Sequence, residues 1–507
     1  MLRPMIARIR SYILLGIEAL PCEIEVDLDQ TDIDKEILVG LPDAAVRESL
    51  ERVRAAMSNS GYAPGRGRQL INLAPADVRK EGPMYDLPIA VAMMLAQNAI
   101  PPGGIDPRTT LFAGELALDG RVRPVRGALA MADLARTMGM ESVILPAENA
   151  AEAAVVSGVN VYGVSTLVEV VGLLSGAIDA EPLPTADVAG MLAAATPDVD
   201  FSEVKGQESV KRALVIAAAG RHNLLMLGPA GSGKTMMAKA LPGILPALTP
   251  GEAVEVTRIY SASGRLGGNG LITTRPVRTP HHTASAPAVV GGGIVPRAGE
   301  ISLAHHGVLF LDELAEFPRV VLETLRQPME DHVVTIARSN STVKFPASFM
   351  LVAAMNPTPK GDVAPGEVGK RDMERYLSKL SGPLLDRIDI HVEAPAVPFS
   401  ELGSKKPGTS TAELRERVLA AQDRAVRRQG TTPNARLRGK DLDRLVELKP
   451  SARTLLEQAL TQLGLSARAY DKVRRTARTI ADVEASDEVL PEHIAEAVQY
   501  RLLDRKI

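Results

Sequence analysis

Eight consecutive residues, Gly228-Pro229-Ala230-Gly231-Ser232-Gly233-Lys234-Thr235, carry the strongest chemical signal in the sequence. They fit the spacing G-x-x-x-x-G-K-[ST], and the apolar run 223–227 before them has the pattern of a buried strand. Residues 236–241 can begin a helix. The glycines let successive backbone N–H groups turn inward as an anion-binding nest, and the helix N-terminus adds its positive dipole end. In such a loop Lys234 reaches the β- and γ-phosphates of a nucleotide and Thr235 holds Mg²⁺.

Two more apolar runs end in polar residues that suit the same chemistry. Residues 308–311 lead into Asp312-Glu313, an acidic pair that is costly at the end of a buried strand unless it meets a metal or water. Asp312 is placed to join the Mg²⁺ shell and Glu313 to polarise the attacking water as general base. Residues 349–355 lead into Asn356-Pro357, where the amide either orients that water or simply forms a turn. Arg387, between apolar residues and the aspartates Asp386 and Asp389, is either a local salt-bridge partner or a finger aimed at a neighbouring subunit's nucleotide. Arg468, opening a late helix, either reaches back over the phosphates or lies solvated on its helix. His281 and His282 invite a metal, but no third ligand has suitable spacing, so a loop role is expected.

A chain of 507 residues has room for about three domains at roughly 100–200 residues each. Its 45% hydrophobic and 23% charged residues are those of a globular protein and exclude disorder as the main state. No stretch approaches the roughly 20 apolar residues of a membrane span. Cys22 is the single cysteine, which excludes an intramolecular disulfide or a cysteine-rich zinc site and points to a reducing compartment, the cytoplasm. The basic, then apolar start is read as a first strand, not a signal peptide, because Glu18 interrupts the run and Ile24, Val26 and Leu28 alternate. With 3% aromatics and no tryptophan, base-stacking rows are not expected.

Charge and proline place the boundaries. Residues 176–200 hold five acids, no Lys or Arg, and three prolines, a linker composition. Residues 405–480 hold 18 Lys/Arg against 8 Asp/Glu, which suits either phosphate-bearing partners or solvated helix faces. The expected architecture is α/β: a mixed α+β domain at 1–175, the linker at 176–200, a phosphate-loop domain at 201–400, and a helical domain at 408–507. Helices are expected over 46–57, 412–428, 440–447, 452–463, 467–481 and 491–503. A short strand is expected at 70–73, and a hairpin over 111–125 whose Asp119-Gly120 suits a type I′ turn.

With these elements in this order, the chain resembles an AAA+ ATPase. Lys234 matches the Walker A lysine, Asp312-Glu313 Walker B and Asn356 sensor 1; Arg387 matches the arginine finger and Arg468 the sensor 2 arginine. The wording of Thr279-Pro-His-His-Thr-Ala-Ser285, Val290-Gly-Gly-Gly293, His306-Gly-Val-Leu-Phe-Leu-Asp-Glu313 and Glu492-His-Ile-Ala-Glu-Ala-Val-Gln-Tyr-Arg501 is similar to that of the magnesium-chelatase-like ComM/YifB family. The resemblance covers nearly the whole chain and implies ATP and Mg²⁺ as ligands and a homo-hexameric ring acting on single-stranded or branched DNA. It narrows the activity to branch migration in recombination or natural transformation, against a chelatase-type ATPase subunit or a protein remodeller. It further implies two pore inserts, at about 283–303 and in a hairpin over 333–344, where Arg338 and Lys344 would touch DNA phosphates.

The first domain resembles the Lon-protease fold, especially at 112–125. Methionine, Met84, stands where the Lon nucleophile would be, and Arg126-Gly-Ala-Leu129 supplies no lysine, so no peptidase is expected. Many ComM/YifB members carry a cysteine cluster after the sensor Asn-Pro. Residues 357–373 contain none, so no zinc is expected.

Overall fold

The computed structural model describes residues 5–29, 35–179, 181–195, 199–268, 270–293, 296–338, 341–357, 376, 379–397, 408–501 and 503. They fall into two compact units. One comprises Met1–Ala193 with Pro250–Thr273, the other Ala194–Thr249 with Thr274–Ile507. The division expected at 176–200 is therefore not the whole partition, because the segment after the phosphate-loop helix packs with the first unit. Its helix Pro250–Ala262 is held there by Gly127 N–H donating to Ser261 O at 3.2 Å and by the Arg258–Asp133 ion pair at 2.8 Å.

The first unit is built on a seven-stranded mixed sheet in the order Lys35–Val39, Arg68–Ala74, Glu18–Asp29, Met5–Leu15, Thr110–Phe112, Ser142–Pro146, Asn160–Val164. In Cys22-Glu-Ile-Glu-Val26 the apolar side chains are buried and the acids between them are not, the alternation that makes a one-sided strand. The helix Ala44–Asn59 starts at Asp43, whose carboxylate accepts from Val46 N–H at 2.8 Å, and buries Val46, Val53, Ala56 and Met57. The expected hairpin is smaller than 111–125. Thr110–Phe112 joins the large sheet, and only Glu115–Leu116 pairs with Val122–Arg123. Gly120 alone takes a positive φ, 83°, and closes on Ala117 O at 2.9 Å as the fourth residue of the turn, so Asp119-Gly120 is not a two-residue type I′ turn. Part of the 176–200 segment lies along the same unit: Leu183 N–H donates to Val161 O at 2.8 Å, and Val188–Ala193 is a short helix.

The second unit carries a five-stranded sheet, all parallel, in the order Val277–Arg278, Val308–Leu311, Met350–Met355, Leu224–Leu227, Ile390–Glu393. Val308–Leu311 and Met350–Met355 are buried at every residue, as continuous apolar runs in a doubly covered parallel sheet should be. The helices Thr411–Gln429, Pro450–Leu463, Ala467–Val483 and Pro491–Gln499 share this core, with Val418, Leu456, Ile480 and Ile494 in one buried cluster with Leu224 and Val352. Ser410 and Glu413 form a capping box at the first of them. The last helix ends at Gln499, short of 503, because the chain turns to bury Arg501, which donates to Ile388 O at 2.6 Å and Asp389 O at 3.1 Å.

Two small excursions leave this sheet. Val333–Arg338 and Ser341–Pro346 form an antiparallel hairpin that pairs Thr335 with Lys344. The expected tip, Ser339-Asn340, and the side chain of Arg338 lie outside the described residues. Over 283–303, helices Ala286–Val290 and Glu300–Leu303 flank a ribbon of Gly291–Gly292 and Arg297–Ala298. Among the described residues no helix is long and apolar enough to cross a membrane.

Candidate active site

The loop between Leu224–Leu227 and the helix Lys234–Ile244 is shaped by its glycines. Gly231 and Gly233 hold φ of 79° and 85°, conformations that a side chain would strain. A Cβ on Gly228 would lie 2.0 Å from Ala394 O, so the loop can pass beside the strand Ile390–Glu393 only with glycine there. Lys234 is buried, and its ammonium donates to Gly228 O at 2.8 Å and Pro229 O at 2.7 Å, with Ser232 Oγ and Asn356 Oδ1 each at 3.4 Å. Burial lowers its pKa, and the nearby carboxylate of Asp312 opposes that shift. Pro229 is half-buried and Ala230 exposed at the mouth of the loop. Gln207 was not foreseen from the sequence. Its buried amide donates to Ser232 O at 3.2 Å and Pro395 O at 2.6 Å, tying the loop to the segment after the edge strand.

The ends of the neighbouring strands supply the acids and the amide. Asp312 follows Val308–Leu311 directly, and its Oδ2 accepts from Thr235 Oγ1 at 2.7 Å while its Oδ1 accepts from Glu313 N–H at 3.0 Å. Glu313 adopts a left-handed φ of 52°, an unusual state for a residue with a side chain and a mark of a constrained position. Its Oε2 lies 3.1 Å from His282 Nδ1. His282 packs against His281, ring centroids 4.1 Å apart, and edge-on to Phe317 at 6.4 Å. A loop histidine expected to be passive therefore holds the acid expected to act on water. Its only signal in the sequence was the His-His pair itself, since spacing says nothing of which acid it meets.

The structure joins Lys234, Thr235, Asp312, Glu313 and Asn356 through one chain of contacts. Arg387 and Arg468 form a second group. Arg387 is 15% exposed, donates to Pro383 O at 2.6 Å and pairs with Glu330 at 2.6 Å. Arg468 is 71% exposed and reaches Asp386, the neighbour of Arg387, at 3.3 Å. Lys344 is exposed on the hairpin. Hydroxyl and carboxylate oxygens are the donors Mg²⁺ prefers, so the Thr235–Asp312 pair fits that ion. The cysteine-free segment on which the absence of zinc was expected lies almost wholly outside the described residues.

Three family models match the chain: "Magnesium chelatase, subunit ChlI" over residues 200–402, "Subunit ChlI of Mg-chelatase" over 24–149, and "Magnesium chelatase, subunit ChlI C-terminal" over 408–501. The chain is 41% identical over 505 residues to the competence protein ComM of Haemophilus influenzae, covering 99% of this chain and 98% of that protein. It is 42% identical over 496 residues to YifB of Escherichia coli, covering 97% and 96%. A shorter similarity, 28% over 189 residues, links it to the 38 kDa magnesium-chelatase subunit of Rhodobacter capsulatus, covering 33% of this chain and 53% of that protein.

Proposed function

We propose that this chain, which belongs to the ComM/YifB family of magnesium-chelatase-like AAA+ ATPases, is a cytoplasmic homo-hexameric ring that couples ATP hydrolysis to branch migration of DNA. The observation that carries the nucleotide chemistry is the contact chain from Lys234 through Asn356 and from Thr235 through Asp312 to Glu313, at the carboxyl ends of adjacent parallel strands. Residues Gly228 to Gly233 cradle the phosphates, and Lys234 exchanges its two carbonyl partners for phosphate oxygens. Thr235 and Asp312 would hold Mg²⁺, and a cation bound there would supply neutralisation of charge on the transferring phosphoryl group. Glu313 takes the proton of the attacking water, with His282 fixing its carboxylate, and Asn356 orients that water. Arg387 serves the site of the adjacent subunit, and Arg468 closes over it from a helical lid. The first unit is a Lon-like module without peptidase activity, a reading supported by the burial of Met84 and Leu129, neither of which can attack a carbonyl.

The DNA part rests on the family, the exposed Lys344, the hairpin that carries Arg338, and the basic 405–480 segment. Contacts to phosphates release counterions, so affinity should fall steeply with salt and depend little on sequence. The deciding experiment measures ATP turnover by assembled protein with and without single-stranded and branched DNA at low salt. Stimulation that Lys344→Ala weakens, with basal turnover unchanged, is the expected result. Rings that neither bind such DNA nor change turnover would end the motor reading and favour a chelatase-type subunit, the alternative that the Rhodobacter similarity keeps in view.

A further inference from the structure

The second unit has a cavity at the opposite edge of the sheet from the phosphate loop. Asn223, Gly307, Phe349 and Asp389 line it, and each directly precedes one of the strands Leu224–Leu227, Val308–Leu311, Met350–Met355 and Ile390–Glu393. It is a hollow of about 70 Å³ that opens to solvent. Among the described residues, four arginines, Arg221, Arg275, Arg436 and Arg438, and two histidines, His306 and His332, share that lining with one carboxylate, Asp389. That carboxylate is already engaged: Lys472 pairs with it at 3.1 Å and Asn223 N–H donates to it at 3.2 Å.

The guanidinium groups need an account: Arg221 and Arg275 have partners of their own, which leaves Arg436 and Arg438. Arg275 is buried and spent on three carbonyls, Pro246 O and His306 O at 2.6 Å and Ala247 O at 3.1 Å. Arg221 caps the C-terminus of the helix Glu208–Gly220, where the dipole favours a cation. Arg436 ends the single 3-10 turn Asn434–Arg436, and Arg438 is the N-cap residue of the helix Gly439–Leu445, where the dipole disfavours a cation. Arg436 donates to a neutral partner, Ser348 Oγ, at 2.6 Å. The crowding is physically felt. Burial, with Arg221 and Arg438 beside it, pushes Arg436 down to about 10, and burial with Arg436 and Arg438 pushes His332 down to about 4. Like charges gathered in a partly desolvated hollow repel one another, and a bound anion relieves that repulsion.

We propose that this cavity binds a phosphoryl group, held by the guanidinium groups of Arg436 and Arg438 with Arg221 opposite, and that it is a second anion site separate from the phosphate loop. Arginine forks match phosphate oxygens in geometry as well as charge. The phosphoryl group comes either as a free anion or as part of a nucleic-acid backbone. The cavity's floor includes His332 and Ser348, which flank the hairpin Val333–Arg338/Ser341–Pro346, so an anion bound here also touches the root of that hairpin.

The test uses the full chain with its phosphate loop filled by a non-hydrolysable Mg-ATP analogue, titrated calorimetrically at constant ionic strength with inorganic phosphate and, separately, with a single-stranded oligonucleotide. Wild-type protein should bind at least one of the two, and Arg436→Gln and Arg438→Gln should each weaken that binding roughly tenfold, the scale of one lost charge-assisted hydrogen bond. Arg438 is exposed, so its variant keeps the fold even if Arg436→Gln loosens the contact to Ser348. Loss confined to phosphate identifies a free anion as ligand, and loss confined to the oligonucleotide identifies a backbone phosphate. Binding of neither, or affinities within twofold of wild type in both variants, would overturn the proposal and leave the arginines as structural caps. Because the phosphate loop is filled throughout, failure here leaves the ATPase assignment untouched.

Discussion

Arg387 can serve a neighbouring subunit only by leaving Glu330, and that requirement has a measurable size. The pair is short, 2.6 Å, and the arginine is mostly buried, but the carboxylate is 52% exposed. Water therefore screens the glutamate, and the pair belongs near the surface-pair range of roughly 0.2–1 kcal/mol. Glu330→Gln removes the charge and keeps the shape, while Pro383 O still holds the other arm of the guanidinium. If release of Arg387 precedes phosphoryl transfer, the substitution lowers the barrier by up to about 1 kcal/mol and raises turnover by about two- to fivefold. The assay is steady-state ATP hydrolysis at protein concentrations where wild type and variant form the same assembly. Arg387→Ala should abolish turnover in the same assay, and mixing it with Lys234→Ala chains should restore part of it, because mixed rings contain intact composite sites. Unchanged or slower hydrolysis by Glu330→Gln in rings of normal size would refute the release step and leave Arg387 a structural partner of Glu330.

Glu313→Gln should keep nucleotide affinity within a few-fold and cut turnover by about 10²-fold or more, since the general base acts only on the water; near-normal hydrolysis would remove Glu313 from that role. Asp482→Ala should cost about 3–5 kcal/mol in denaturant unfolding, because Arg428, Arg478 and Asn434 all converge on this buried carboxylate and Arg478 is itself buried. A loss under about 1 kcal/mol would show that the network repacks. His332 faces Arg436, Arg438 and Arg221, with Asp331 opposing, and stays neutral in the fold down to about pH 4, whereas the unfolded chain protonates it near 6.5. The unfolded state then binds more protons in that window, so stability is lost as pH falls from about 6.5 to 4. Half-exposure discounts the full shift to about 1–2 kcal/mol. His332→Gln should flatten that part of the stability profile, and an unchanged slope would assign the loss to other groups.

The sequence made legible what periodicity and local chemistry control. The unbroken apolar runs before Asp312 and Asn356 located strands to within a residue or two, while the alternation of Ile24, Val26 and Leu28 marked a strand without bounding it, and the expected single first strand is two, Met5–Leu15 and Glu18–Asp29. The late helices fell close to their expected bounds for the same reason. Errors arose where a distant contact overrode a local preference. Asp119-Gly120 has the composition of a two-residue turn, yet Thr110–Phe112 is drawn into the large sheet and the remaining hairpin is too short to dictate a primed turn. The last helix stops early because the Arg501 guanidinium gains two carbonyls just ahead of the edge strand Ile390–Glu393. Gln207 and Glu330 were invisible as site residues, and His282 was visible only as one of a histidine pair, since each matters only through a partner far along the chain.

Strand order is the variable that local pattern cannot supply, and it decides the geometry of the candidate site. The loop strand Leu224–Leu227 lies between Met350–Met355 and Ile390–Glu393, not beside the strand that follows it in sequence. The chain therefore leaves it toward one side of the sheet and returns on the other, and such a reversal opens a crevice at the carboxyl edge where ligands bind in α/β proteins. One consequence is that Asn356, at the end of the adjacent strand, comes within 3.4 Å of Lys234, the first residue of the helix that follows the loop. Asp312 sits one strand further out, and the loop residue it meets is Thr235, at the start of the helix. Exchanging those two strands would bring the carboxylate to the lysine and leave the hydroxyl without its acid. The lysine would then be neutralised by Asp312 before any phosphate reached it. The observed order keeps Lys234 on neutral carbonyls and an amide, which a phosphate can displace without breaking an ion pair.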